Sequence, residues 1–410
     1  MGHLSKSERV EASKAILPSN DYSKTMLGDS CDGLSENKSE ISDNNNNASK
    51  IETVGPAEYR EVRSSGKTQL NVYENWQGDN VLGVQFKAPL KWGKVVQIGL
   101  IHLLFLYAFI DFFYQYKELK MMTVFWAFFT GGMCGFGITG GAHRFWTHRS
   151  FKAKLPLRII LITCFSMAGQ NTMFDWVRDH RVHHKFSETD ADPHNAHRGF
   201  FFAHVGWLMM YKHPEVLRRG NQIDMSDVLD DPVVQFHQKY FLWMKLFICF
   251  ILPTAVPMYF WGESFYYAFM SQCVLRYVCG LNFTWSVNSA AHLWGTRPYD
   301  RRISPSENLW VSILAMGEGW HNYHHVFPWD YKAAEFGKYS VNVTAFWLDL
   351  FAKIGWAYDL KQPSKDLVKR TIEKCGDGSH PEFGHHMSEV PMPADDENYD
   401  ENSNVWDKKE

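Results

Sequence analysis

Nine of the nineteen histidines fall into tight groups. His143 and His148 enclose H-R-F-W-T-H. His180, His183 and His184 occupy H-R-V-H-H, and His321, His324 and His325 occupy H-N-Y-H-H. His292 closes N-S-A-A-H, four residues after Asn288. Helix residues at i, i+3 and i+4 share one face. Each H-x-x-H-H triplet can therefore present three imidazoles to one point, and Asn288 and His292 are neighbours too. The first box differs, because positions five apart lie about 140° apart on an ideal helix. His143 and His148 share a site only if the helix ends or bends between them; otherwise each serves a different metal. Gly131, Gly132, Gly135, Gly137, Gly140 and Gly141 just upstream permit close packing and irregular backbone.

A single histidine near a membrane surface is usually a hydrogen-bonded surface or core residue, and the other ten show no comparable spacing. Nine clustered imidazoles call for a shared positive partner, and a metal supplies one. They exceed the four ligands of one tetrahedral zinc. Two metals with four or five ligands each fit the count, with Asn288 completing one shell directly or through water. Imidazole suits zinc, copper, iron and nickel alike, so a zinc hydrolase competes with redox chemistry. Asp179, Glu188, Asp190, Asp192 and Glu318 are acids that could accept the outward N–H of a ligand imidazole; each is otherwise an ordinary surface or capping acid.

The elements that position these boxes are membrane spans. Crossing a bilayer takes about 20 helical residues, and four apolar stretches qualify: 95–115, 121–141, 240–261 and 264–286. Short loops join them into two helical hairpins. Two shorter apolar stretches read differently. Residues 155–168 carry Arg158 and are expected at the interface or buried in protein, and 345–358 fit an amphipathic helix on the membrane. The segment 142–238 holds twelve Lys and Arg, whereas the first hairpin loop has only Lys117 and Lys120. The positive-inside rule therefore places the large segments, both termini and every box in the cytosol. Residues 1–70 and the 366–410 tail are too polar to offset chain ordering and are expected to be disordered. The first residues lack an apolar signal region. Seven scattered cysteines form no C-x-x-C, against a cysteine metal site. A net charge of −3 with no basic run gives no sign of nucleic-acid binding. The expected fold is an all-α integral membrane protein. Four transmembrane helices carry a cytosolic helical cap, 142–239 and 287–365, that bears a histidine-rich dimetal site within a domain spanning 71–365.

At these boxes the sequence resembles the membrane acyl-CoA desaturases, especially the animal and insect stearoyl-CoA (Δ9-like) type. The resemblance is carried by G-A-H-R-F-W-T-H-R at 141–149 and R-D-H-R-V-H-H-K-F-S-E-T-D-A-D-P-H at 178–194. It continues in G-F-F-F-A-H-V-G-W-L at 199–208, N-S-A-A-H-L-W-G at 288–295 and G-E-G-W-H-N-Y-H-H-V-F-P-W-D-Y at 317–331. It covers about residues 70–360. H-x-x-H-H alone is shared with hydroxylases; the full ordered set is far more specific.

The resemblance implies two iron ions held by the nine box histidines, with Asn288 reaching one through water. It also implies O2 as co-substrate, electrons from cytochrome b5 and its NADH-dependent reductase, and an endoplasmic reticulum membrane location. A kinked acyl tunnel should run from the cap to between the helices. The implied product is a cis, Δ9 unsaturated long-chain acyl-CoA. Alternatives are a di-iron hydroxylase, another acyl lipid, or another position such as Δ11. Headgroup contacts map to Asn171, Arg178, Asp179 and Lys212; Tyr211 stands where relatives commonly carry another basic residue. Arg178 and Lys212 could equally serve lipid headgroups. Thr284 and Trp285 map to the tunnel bend, or else pack the fourth span. Side-chain bulk on 125–135 would limit chain length. Arg276 within the fourth span needs a partner.

Overall fold

A computed structural model describes residues 78–384 apart from 82, 83, 87, 115–117 and 337. The polar segment 1–70 and the tail beyond 384 lie outside the described residues.

Among the described residues, three helices are long and apolar enough to cross a membrane: α1 (Trp92–Tyr114), α2 (Met121–Thr147) and α5 (Pro232–Trp261). Between α2 and α5 lie α3 (Leu155–Ala168) and α4 (Met173–Phe186). The fourth expected span, 264–286, is helical but does not meet the same apolarity. It forms one run, α6 (265–293), built from Phe265–Phe269, a π-helical Met270–Leu275 and Arg276–Leu293. The reason lies in its polar residues, which face protein. Gln272 is fully buried and accepts the Thr130 hydroxyl at 3.0 Å. Arg276 is buried and donates to Gln272 O (3.0 Å), Met167 O (3.1 Å), Cys249 O (2.5 Å) and Cys134 Sγ (2.9 Å). Met167 lies in the last turn of α3 and Cys249 lies in the π-helical Lys245–Ile251 of α5, where backbone carbonyls are freed for outside donors.

α3 is packed in protein. Leu157, Leu161 and Phe165 are buried in the main core with Trp146, Val177 and Leu348, each such side chain contributing about 1.5–3 kcal/mol. The approach of α2 is close enough that a Cβ on Gly137 would stand 2.1 Å from Phe165 N, so only glycine fits. α3 stops at Gly169, in the left-handed conformation (φ +63°).

After α6 come the short α7 (His321–Val326), then α8 (Val343–Lys353) and α9 (Lys365–Cys375). α8 is amphipathic. It buries Ala345 and Leu348 and leaves Phe346, Trp347 and Leu350 exposed. A two-residue antiparallel pairing, Lys152–Ala153 with Ala357–Tyr358, ties its end to the start of α3. α9 begins at the boundary where the polar tail was expected, and buries Val368 and Ile372 against Tyr299, Tyr323 and Phe327.

Candidate metal centre

The first histidine box sits on a π-helix. α2 is α-helical to Phe136 and π-helical over Gly137–Thr147. The i→i+5 hydrogen bond of that geometry places residues five apart above one another, and His148 N donates to His143 O at 3.1 Å. The bend required by the spacing is therefore a change of helical period.

The nine imidazoles converge as two groups. His143, His148, His180, His184 and His324 form one; His183, His292, His321 and His325 form the other. Within each group the nitrogens lie within 4.8 Å of one another. The expectation that each H-x-x-H-H serves one point is corrected here. His180 and His184 face the first group while His183 faces the second, and His324 is likewise separated from His321 and His325. The two groups adjoin, with the His184 and His325 rings stacked 4.1 Å apart.

Several observations test whether these groups suit metal ions. Nε2 of His143 lies 2.9 Å from Nε2 of His324, which lies 3.0 Å from Nε2 of His184. In the second group Nε2 of His321 lies 2.9 Å from that of His292 and 3.1 Å from that of His325. Ligands bonded at about 2.1 Å and roughly 90° apart are separated by about 3 Å, so these spacings suit edges of one coordination polyhedron. Nε2 of His148, His180 and His183 is buried with no hydrogen-bond partner, a cost normally avoided that coordination removes. Burial first, and neighbouring imidazoles second, hold His148, His180, His184, His321, His324 and His325 well below the ordinary 6.5. These rings are neutral at pH 7, with lone pairs free for a metal.

Two of the five candidate acids hydrogen-bond ligand rings: Glu188 Oε1 lies 2.7 Å from His292 Nδ1 and Asp192 Oδ1 lies 3.0 Å from His183 Nδ1. A proton held on each of these Nδ1 atoms leaves Nε2 as the donor atom. Glu318 Oε2 lies 2.7 Å from His143 Nδ1 as a charge contact without hydrogen-bond geometry. Burial pushes the Glu318 carboxyl up, but Arg144 and His143 outweigh it and hold it below its usual range. Arg144, almost fully buried, donates to Glu318 Oε1 through Nε (3.0 Å) and Nη2 (2.8 Å). Sequence reasoning missed Arg144, although it follows His143 inside the box. It also set His194 aside, whose Nδ1 lies 3.5 Å from Asp192 Oδ1. Asp190 contacts none of the nine rings among the contacts described, and Asp179 is turned elsewhere.

An apolar cavity of about 480 Å³ runs from the first group down between α1, α2 and α6. His143, His180, Glu318 and Asn288 are among its lining residues. Gly131, Gly132 and Gly135 line it on α2, and Thr284 on α6. Gln170 donates to Thr284 Oγ1 at 3.0 Å and accepts from Trp176 Nε1 at 2.9 Å, a bridge across the cavity wall that sequence reasoning did not anticipate. Trp285 is buried against His102 and His204 and does not line the cavity. Asn171 is exposed. Arg178 and Lys212 both bind Asp179: Lys212 Nζ at 2.8 and 2.6 Å, Arg178 Nη2 at 3.3 Å, with Arg178 also 3.0 Å from Asp175.

The sequence profile of the family described as fatty acid desaturase matches residues 120–347. The chain is 51% identical over 311 residues to the acyl-CoA Delta-9 desaturase of Acheta domesticus, covering 76% of this chain and 85% of that protein. It is 53% identical over 265 residues to the acyl-CoA Delta(11) desaturase of Spodoptera littoralis, covering 65% and 78%. It is 45% identical over 317 residues to an acyl-CoA Delta12-desaturase of Acheta domesticus, covering 77% and 88%.

Proposed function

Because this chain belongs to the fatty acid desaturase family, we propose that it introduces a double bond into a long-chain acyl-CoA with O2 and electrons from cytochrome b5. One observation carries the reading: two groups of imidazoles, five and four, converge, and His143 and His180 of the first line an apolar cavity. Two iron ions would be held by His143, His148, His180, His184 and His324, and by His183, His292, His321 and His325, with Asn288 acting on one of them through water. When bound, the iron pair supplies the O2-dependent removal of one hydrogen from each of two adjacent carbons.

The protein's share of the work is positional. Glu188 and Asp192 lock His292 and His183 in the Nε2-donor tautomer, and Glu318 is held by Arg144 beside His143. All three acids are thereby occupied, which disfavours the zinc hydrolase reading, since it needs a free carboxylate base. The Trp176–Gln170–Thr284 bridge stiffens the cavity wall, so the same carbons approach the centre at each turnover. Apolar walls exclude water from the reacting methylenes.

Arg178 and Lys212 are the proposed headgroup contacts, with Asp179 as their counter-ion. An incoming phosphate competes with Asp179 for Lys212 through charge-assisted hydrogen bonds. α6 is proposed as the fourth span, with its polar residues facing protein. The basic segment 142–238 supports a cytosolic cap, and the reading places the protein in the endoplasmic reticulum membrane. Relatives of similar identity carry Delta-9, Delta(11) and Delta12 names. Δ9 is the proposed position on the Delta-9 relative and the stearoyl-CoA-type motifs.

Expression in a desaturase-deficient cell, followed by mapping of double bonds in the cellular acyl chains, tests the reading. A new unsaturated product at one fixed position supports it. Folded protein with reductant but no unsaturated product overturns it, and a product heavier by one oxygen assigns a hydroxylase instead.

A further inference from the structure

The two groups of imidazoles are not equivalent. His143 and His180 of the first line the apolar cavity, and no ring of the second is among its lining residues. Of the nine rings only His148, His184 and His325 are part-exposed, so the second group reaches the surface through His325 alone. Both groups consist of imidazoles only. Glu188 and Asp192 sit on rings of the second group and Glu318 beside a ring of the first, so none of these acids spans the two. The groups meet instead through the last histidine of each H-x-x-H-H triplet. The His184 and His325 rings stack with centroids 4.1 Å apart and planes inclined by 15°. The other ring pairs described across the groups, His180–His183, His183–His184, His321–His324 and His324–His325, stand 5.6 to 5.8 Å apart. Overlap of π orbitals falls steeply with the gap and with tilt, so electronic coupling between the groups concentrates in the one close stack. Each stacked ring keeps Nε2 with its own group: His184 lies 3.0 Å from His324 Nε2, and His325 lies 3.1 Å from His321 Nε2.

Desaturation takes one hydrogen from each of two carbons and reduces O2 to two waters, which calls for two further electrons and two protons. The electrons come singly from a reduced carrier protein. We propose that the stacked His184 and His325 rings carry these electrons from the four-imidazole site to the five-imidazole site, so that the four-imidazole site is an electron relay and the five-imidazole site faces the acyl chain. The inference rests on the acyl-CoA desaturase reading. In each passage the carrier is oxidised by one electron, the ion held by His183, His292, His321 and His325 is reduced and then reoxidised, and the ion held by the five-imidazole group is reduced. No bond forms or breaks in either ring.

The test uses the full chain in lipid nanodiscs. His292→Ala and His321→Ala each remove a ligand from the relay site, and iron analysis selects protein that keeps a single iron per chain. Reduction of that iron is followed by the electron paramagnetic resonance of its nitric oxide adduct, with either reduced cytochrome b5 or dithionite as donor. Dithionite should give the signal in variants and wild type alike, while reduction by cytochrome b5 should be lost in the variants. Reduction of the variants by cytochrome b5 at the wild-type rate overturns the relay. A second measurement needs no variant. The wild type loaded with copper(II), which imidazole suits, should show exchange splitting beyond the through-space dipolar interaction of the two ions. A spectrum accounted for by dipolar coupling alone overturns the stack as the path. Unsaturated product from the iron-loaded wild type decides the desaturase reading separately. Product alongside either contrary result leaves that reading standing, and absence of product overturns it and this proposal with it.

Discussion

Gly132→Leu should shorten the preferred acyl chain. Gly132 lines the cavity, and a Cβ built there meets nothing within 4 Å. The new side chain therefore enters the lumen without displacing backbone. Exchange of glycine for leucine inside a helix favours the helix by several tenths of a kcal/mol, up to about 1, so the protein should remain folded. Leucine adds four carbons and displaces about four substrate methylenes. At about 0.8 kcal/mol per methylene, chains that reach past Gly132 lose roughly 3 kcal/mol of binding. Shorter chains lose little. The preference between them should shift by about two powers of ten. Competition between stearoyl-CoA and myristoyl-CoA, read as the ratio of unsaturated products by gas chromatography and mass spectrometry, measures this directly. An unchanged ratio, or equal loss for both substrates, would refute the placement of the chain along α2.

Other consequences follow from the same geometry. His324→Ala removes a ligand of the first group only; metal analysis should show loss from that group, with turnover abolished and the protein still membrane-bound, and retained activity would strike His324 from the ligand set. Glu188→Gln weakens the hold on His292 Nδ1, so metal affinity measured by chelator competition should fall about 10–100-fold; an unchanged affinity would make that contact incidental. The metal-free protein should lose stability as pH falls below about 6.5. Its buried histidines have folded pKa values depressed below the unfolded value, so the unfolded chain binds more protons in that range and each such ring contributes up to ~1.4 kcal/mol per pH unit. Thermal unfolding of the chelated protein across this range checks the sign, and a melting temperature that rises on acidification would refute it.

Much of the site was legible because imidazoles in H-x-x-H-H boxes carry their geometry in their spacing. The division into two groups was not, because i, i+3 and i+4 share a face but diverge enough for His183 and His324 to aim past their neighbours. Nor was the π-helix of 137–147, since a change of helical period leaves no mark beyond its glycines and the five-residue gap. The partners of Arg276 were hidden for another reason: three of its four are backbone carbonyls, which every residue possesses. The fourth expected span was legible as a helix, but its hydropathy is diluted by Gln272 and Arg276, whose partners come from other helices. α9 escaped notice because Val368 and Ile372 are few among charged neighbours, and their burial depends on Tyr299 and Tyr323 from distant sequence.

The measurement closest to the central claim is anomalous diffraction from the purified, metal-loaded protein. Two peaks are expected, one enclosed by His143, His148, His180, His184 and His324, the other by His183, His292, His321 and His325. A single peak, or none inside either ring of imidazoles, would contradict it.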